Sequence, residues 1–345
     1  MHIAIIDLTA PGVRFKLTPP GGARETARQT TLDFLNQEQA QLAINAHFYL
    51  PYPPVDLDAN LVGLAASEGV VYSWFEPQPV APDYIDQSYA ILPYAPALNI
   101  DRSNKAAIVH FDPIRSENQH VVENVALWNA VSGSAQIVSN GAKAIPTYSG
   151  PPGGLNPLAG YYSATNSWYA AVHARTAIGL TADRNTLILF TVDEAGGSLG
   201  MTPGEVADLL IQDYGVSDAL NLDGDGSTSM AMEDPISQSG RLLTASSDNP
   251  LGRAVGSNLA VFAEPTPERV VPLNIILITN GIVLTWPKIA SNWTLERAPD
   301  TTPGHWSNVA IQAESFPDRL QVVLPRSDRC TFYRLAQNLS PTRDR

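Results

Sequence analysis

The chain has 345 residues, 44% of them hydrophobic and 16% charged, and carries a net charge of −13. That is ample apolar material for a packed core, which excludes a disordered chain, and the length favours one large unit plus a small one. The acidic balance argues against nucleic-acid binding, which needs a basic surface to meet phosphates, and no apolar run reaches the roughly 20 residues that cross a bilayer.

Short runs rich in Ile, Val, Leu and Phe, bounded by turn residues, predict strands at 2–8, 42–45, 69–73, 106–111, 136–138, 177–180, 187–192, 219–222 and 259–263. Helices are few. One is predicted over 31–41 and a clearer one over 203–214, where Thr202 and Glu205 have capping-box spacing, Pro203 takes the first helical position and Gly215 can close the end. Between residues 50 and 105, prolines interleave with Tyr, Trp and Phe; this stretch reads either as a stiffened surface excursion or as a lid with aromatic platforms for a sugar ring. A proline-rich linker is read at 265–270. Beyond it, six alternating runs within 271–338, one pair joined at Asn280-Gly281, predict a small β-sandwich. The expected fold is therefore α+β: a mixed-sheet domain with few helices over 1–264, followed by an all-β module.

The charge follows the same division. Residues 1–265 hold 27 carboxylates against 12 basic side chains, and residues 173–234 hold 11 carboxylates against Arg175 and Arg184 alone. The single cysteine, Cys330, rules out an intrachain disulfide and a cysteine-based metal site. The opening M-H-I-A-I-I-D-L reads as a strand rather than a signal peptide.

Three segments deliver polar side chains from strand ends into glycine-rich turns: A-I-N-A-H-F-Y (43–49), H-A-R-T-A-I-G-L (173–180) with F-T-V-D-E-A-G-G-S-L-G-M-T (190–202), and A-L-N-L-D-G-D-G-S-T-S-M (219–230). Glycine there permits unusual backbone angles or close approach of a ligand, and a rigid sheet presenting polar groups at its strand ends is a common site architecture. With V-S-G-S-A-Q-I-V-S-N-G-A-K (131–143) between them, the blocks in this order resemble the phosphodiester glycosidase family over roughly residues 1–264. The tail, with L-T-W-P (284–287) and F-Y-R-L (332–335), resembles β-sandwich modules appended to secreted bacterial enzymes. Three positions depart from the family pattern: His47 replaces a small residue, and Glu194 and Asp225 replace glycines.

The resemblance implies hydrolysis of the bond between an anomeric carbon and a phosphodiester oxygen, in a substrate like an N-acetylglucosamine-1-phosphodiester, by a secreted or periplasmic protein; no export signal is read in this chain, which leaves a cytosolic protein as the alternative. A phosphomonoester leaving group, with its second pKa near ~6, lessens the need for a strong acid; carboxylates near C1 are still needed to stabilise a cationic sugar. Asp193 and Asp223 are the expected carboxylates, Glu194 competes for acid/base work, and His173 and His47 are donors to phosphate or proton carriers. Arg175 is the expected phosphate fork, its bland alternative being a buried ion pair with Asp193 or Asp223. Asn45 is expected at a sugar hydroxyl or acetamido group. Asn221, Ser227 and Thr228 should line the same turn, with the Gly224 and Gly226 amides forming an anion nest. Asp223 may be read two further ways: as a carboxylate capping its own glycine turn, or, with Asp225, as ligand to calcium or magnesium, although Thr228 and Asp234 stand where a calcium loop wants Gly and Glu. No cofactor is required. Rival functions are an ordinary glycosidase on neutral or cationic glycans and a non-catalytic glycan-binding protein.

Overall fold

The computed structural model describes residues 1–51, 56–76, 92, 94–116, 119–146, 171–234, 237–246, 249–263, 272–288, 293–299, 305–325 and 331–337. The 265–270 linker, Cys330 and much of the proline-aromatic stretch lie outside them. The chain forms two compact units, one of Met1–Glu233 with Gly240–Glu264, the other of Asp234–Ser239 with Pro265–Arg345. Among the described residues there are two α-helices, and every named strand pairing is antiparallel.

The first unit is organised by a six-stranded sheet whose central strands are Arg175–Thr181, Thr186–Val192 and Val216–Asn221. These strands are apolar on both faces, so both must be covered. One face sends Ile178, Leu180, Leu187, Leu189 and Leu220 into a core shared with Ile44, Met230, Leu259 and Val261 of a five-stranded sheet. The other face packs Ala177, Ile188 and Phe190 against Val206, Ala207 and Leu210 of helix α2 (Pro203–Tyr214). Helix α1 (Thr31–Glu38) covers the outer face of the five-stranded sheet through Phe34 and Leu35, which meet Ala43, Ala231 and Ala260. Each such buried Leu, Ile or Phe stabilises the fold by roughly 1.5–3 kcal/mol relative to exposure, so the two-sheet core dominates the unit. A third sheet, containing Ala97–Ile100 and Asn129–Ser132, adds Leu98, Ile100 and Val131 to that core.

Helix α2 has the ends its sequence predicts. Thr202 accepts from the Glu205 amide (3.2 Å), the Glu205 carboxylate accepts from the Thr202 amide (2.8 Å), and Gly215 closes the helix at φ 63. The predicted 31–41 helix stops earlier, at Glu38, because Gln39 turns left-handed and donates its amide to Leu35 and Asn36.

In the second unit, Asn274–Ile278, Gly281–Pro287, Glu314–Ser315 and Arg319–Pro325 form one sheet, and Trp293–Ala298, Ser307–Asn308 and Phe332–Gln337 another. Leu284, Trp286, Val322 and Leu324 of the first meet Leu295 of the second in a small sandwich core. The hairpin turns at Thr279-Asn280, since Ile278 pairs with Gly281. Gly281 is needed for a different reason than turn geometry: a Cβ there would lie 2.3 Å from the Leu324 carbonyl oxygen of the neighbouring strand. No described helix is long and apolar enough to cross a membrane.

Candidate active site

Strand register carries the key residues to one end of the six-stranded sheet. Arg175 pairs with Val192, so Asp193 and Glu194 leave the sheet beside His173 and Ala174. Ala177 pairs with Asn221, and the next residues climb alongside: the Leu222 amide donates to Thr176 and the Asp225 amide to Ala174. The Leu42–Asn45 strand reaches the same place from the second sheet, where the Asp223 amide donates to the Ala46 carbonyl (3.1 Å). Loop 193–202 is tied down by a two-way backbone bridge between His173 and Met201. Gly200, at φ +82, lies so close to His173 that a Cβ would sit 2.2 Å from its carbonyl oxygen.

Two groups of side chains stand at this end. The first centres on Asp223. Its carboxylate accepts from the Gly224 amide (3.0 Å) and from the Ser227 hydroxyl, whose oxygen in turn accepts from Arg253 Nη1 (3.1 Å). Burial pushes Asp223 up to about 7, while the Ser227 hydrogen bond and the Arg253 charge pull the other way. Tyr49, buried beside Asp223 and Arg253, is pushed up to about 12 by burial and by the Asp223 charge. The second group is His173, Glu194 and Asp225. His173 Nδ1 lies 3.0 Å from Asp225 Oδ1 and 3.6 Å from Glu194 Oε2. Burial also raises Asp225, against the opposing charges of His173 and Arg175. Asp193 stands at the margin: its Oδ1 accepts from the Ala245 amide (3.1 Å) and its Oδ2 lies 3.6 Å from His2 Nε2. The 244–246 segment links it to the Asp223 turn, because Ser246 donates to the Gly226 carbonyl (3.1 Å).

Several expected ligand-binding side chains face protein instead. Asn45 is fully buried; its Nδ2 donates to the Asp223 carbonyl (2.7 Å), and its Oδ1 accepts from the Thr176 hydroxyl and the Ser229 amide. It fastens the Asp223 turn to the second sheet rather than reaching a sugar. His47 is also fully buried, with Nδ1 2.8 Å from Ser257 Oγ and Nε2 3.0 Å from the Leu64 carbonyl; burial holds it down at about 4, so it is neutral. Arg175 is 0% exposed and directs two of its N–H groups to the Met201 and Ala171 carbonyls, clamping the strand start to loop 193–202. Asn221 donates to Ser134 and to the Leu222 carbonyl, and Thr228 is buried beside Thr176. The anion nest is compromised because the Gly224 amide already binds Asp223, as the self-capping reading anticipated. The Asp223 carboxylate turns to Ser227 and Gly224, and that of Asp225 to His173.

Arg253 escaped the sequence reading. It sits outside the four motif blocks, and its only signal was an arginine in an acidic domain, next to a glycine of positive φ, Gly252.

Comparison with known proteins adds the lineage. Residues 93–262 match the phosphodiester glycosidase family. That segment is similar to the phosphodiester glycosidases. The chain is similar in structure to the zebrafish N-acetylglucosamine-1-phosphodiester alpha-N-acetylglucosaminidase catalytic domain auto-inhibited by its pro-peptide, with a TM-score of 0.51 and 18% identity over 76% of this chain and 83% of that one. A hypothetical protein from Synechocystis matches with a TM-score of 0.48 and 15% identity over 76% of this chain and 59% of that one. No curated protein matches. At 18% identity the likeness to the zebrafish enzyme is one of fold. The matched segment contains Asp223, Ser227 and Arg253 and the His173, Glu194 and Asp225 group.

Proposed function

We propose that this phosphodiester glycosidase hydrolyses a sugar-1-phosphodiester, releasing free sugar and a phosphorylated partner. The observation that carries the reading is the run from Arg253 through Ser227 to Asp223, which sets a guanidinium beside a carboxylate at the strand ends. The reaction asks for that pairing. As the C1–O bond breaks, positive charge develops on the sugar ring and is met by a carboxylate, while the phosphate oxygen keeps the bonding electron pair and is met by a cation. Water, or the substrate's own acetamido oxygen, forms the new bond to C1.

In this scheme Asp223 serves the sugar, with Asp193 as the second carboxylate, and Arg253 takes the phosphate role expected of Arg175. Asn45, Arg175 and Thr228 are positioning residues that hold the turns in place. The test is a panel of sugar-1-phosphodiesters and matched neutral glycosides, with sugar and phosphomonoester followed separately. Arg253→Met should lower kcat/KM on phosphodiesters at least about 100-fold, as expected for loss of a charge-assisted contact in the transition state. Asp223→Asn should abolish turnover.

The ordinary-glycosidase reading keeps one argument, the 11 carboxylates between residues 173 and 234. Equal turnover of the neutral glycosides, insensitive to Arg253→Met, would favour it. Binding without turnover in any arm, unaltered by Asp193→Asn and Asp223→Asn, would instead make the protein a glycan binder.

A further inference from the structure

The His173, Glu194 and Asp225 group has no part in the scheme above. The three side chains come from separate segments, 173 just before one central strand, 194 just after its neighbour, and 225 in the turn after the third. Their donor atoms all lie within 4.8 Å of one another, the one such group among the described residues. Two carboxylates brought this close repel each other, and His173 lies at 3.6 Å from one and 3.0 Å from the other.

We propose that His173 Nδ1, Glu194 and Asp225 bind a divalent first-row transition metal of the zinc type. The two separations from His173 fit a common central ion. With metal–ligand bonds of about 2.1 Å, two donors on one ion stand about 3.0 Å apart at a right angle and about 3.4 Å apart at a tetrahedral angle. The His173–Asp225 and His173–Glu194 separations are 3.0 and 3.6 Å. The imidazole decides the class of metal: calcium and magnesium take oxygen ligands, whereas one nitrogen with carboxylate oxygens suits zinc and its neighbours. Side-chain exposures of 32% for His173 and 42% for both carboxylates leave one side of the group open to water or another ligand.

Binding is measured without reference to hydrolysis, so the two readings fail separately. The full chain is stripped with chelator and titrated with zinc chloride by calorimetry and thermal melting, then with cobalt chloride for its visible spectrum. One equivalent per chain, a raised Tm and a cobalt spectrum with mixed nitrogen and oxygen ligation are expected. His173→Ala, Glu194→Gln and Asp225→Asn should each weaken the zinc Kd at least about 10-fold, with the metal-free Tm of each variant reporting its fold. His110→Ala, at an exposed histidine just after the Ala106–Val109 strand, should leave Kd unchanged. Absence of saturable binding, or a Kd indifferent to all three substitutions, overturns the site. Zinc binding without turnover of any phosphodiester would retain the site and remove the proposed hydrolysis.

Discussion

At the level of single residues, burial separates side chains that the motifs treat alike. His47 and His173 both follow apolar strand segments or lead into them, yet one is sealed between Ser257 and Leu64 while the other meets two carboxylates. The difference has a pH consequence. With His47 at about 4 in the native state and near 6.5 when unfolded, the unfolded chain takes up a proton across that interval and the native one does not. Stability from a neutral His47 is complete above pH ~6.5 and is lost as pH falls toward 4, by at most about 3 kcal/mol. Glu76, pushed up to about 7 by burial, acts in the opposite sense: its contribution is present at low pH and lost as pH rises through 7. Urea unfolding of the wild type and His47→Gln at pH 7, 5.5 and 4 isolates the histidine. The variant should lose less stability on acidification; identical acid limbs would contradict the account.

At the level of elements, local signals located most strands and both helices, because alternation, capping and turn chemistry are written in adjacent residues. Thr202 with Glu205 is the clearest case, and Thr202→Ala should cost about 1 kcal/mol, read as a shift in urea midpoint with unchanged slope. Elements that lack such signals were missed: Met230–Glu233 is completed by pairing with Leu42–Asn45 and Gly240–Leu242, and Asn129–Ser132 by pairing with Ala97–Ile100 and Ala65–Ser67. The glycines divide in the same way. Gly141 has φ +74 with nothing near its missing Cβ, whereas Gly200 has φ +82 and the His173 backbone against it. Alanine at 141 carries only backbone strain, about 1 kcal/mol; alanine at 200 adds a clash and should lower Tm several degrees further. Equal melting shifts for the two would mean that the contact with His173 is not as tight as described.

On the scale of the whole molecule, each unit has its own core: one between the two large sheets, the other around Trp286. A chain ending at Glu264 is expected to melt cooperatively and, on the proposed function, to turn over the same substrates as the full chain. Aggregation of that fragment together with loss of turnover would show that the second unit is required. The acidity concentrated in residues 173–234 also becomes specific at this scale. Asp223 faces Ser227 and the charge of Arg253, Asp225 and Glu194 face His173, and Asp218 is paired with Arg184.

The sequence by itself determined the strand-rich class, the capped helix, the sandwich tail and the glycine-rich turns at which polar residues gather. These depend on periodicity and on short-range hydrogen bonding, which act between neighbours in the chain. Which polar side chain faces solvent and which is consumed by the scaffold was decided only by tertiary structure. Asn45 is spent on the Asp223 turn and Arg175 on two backbone carbonyls, while Arg253 arrives beside Asp223 from 30 positions away. The meeting of residues 173, 194 and 225 follows from three strand ends lying side by side. Hydrogen-bond partners and desolvation are properties of a packed neighbourhood, and that neighbourhood exists only once the sheets have closed over it.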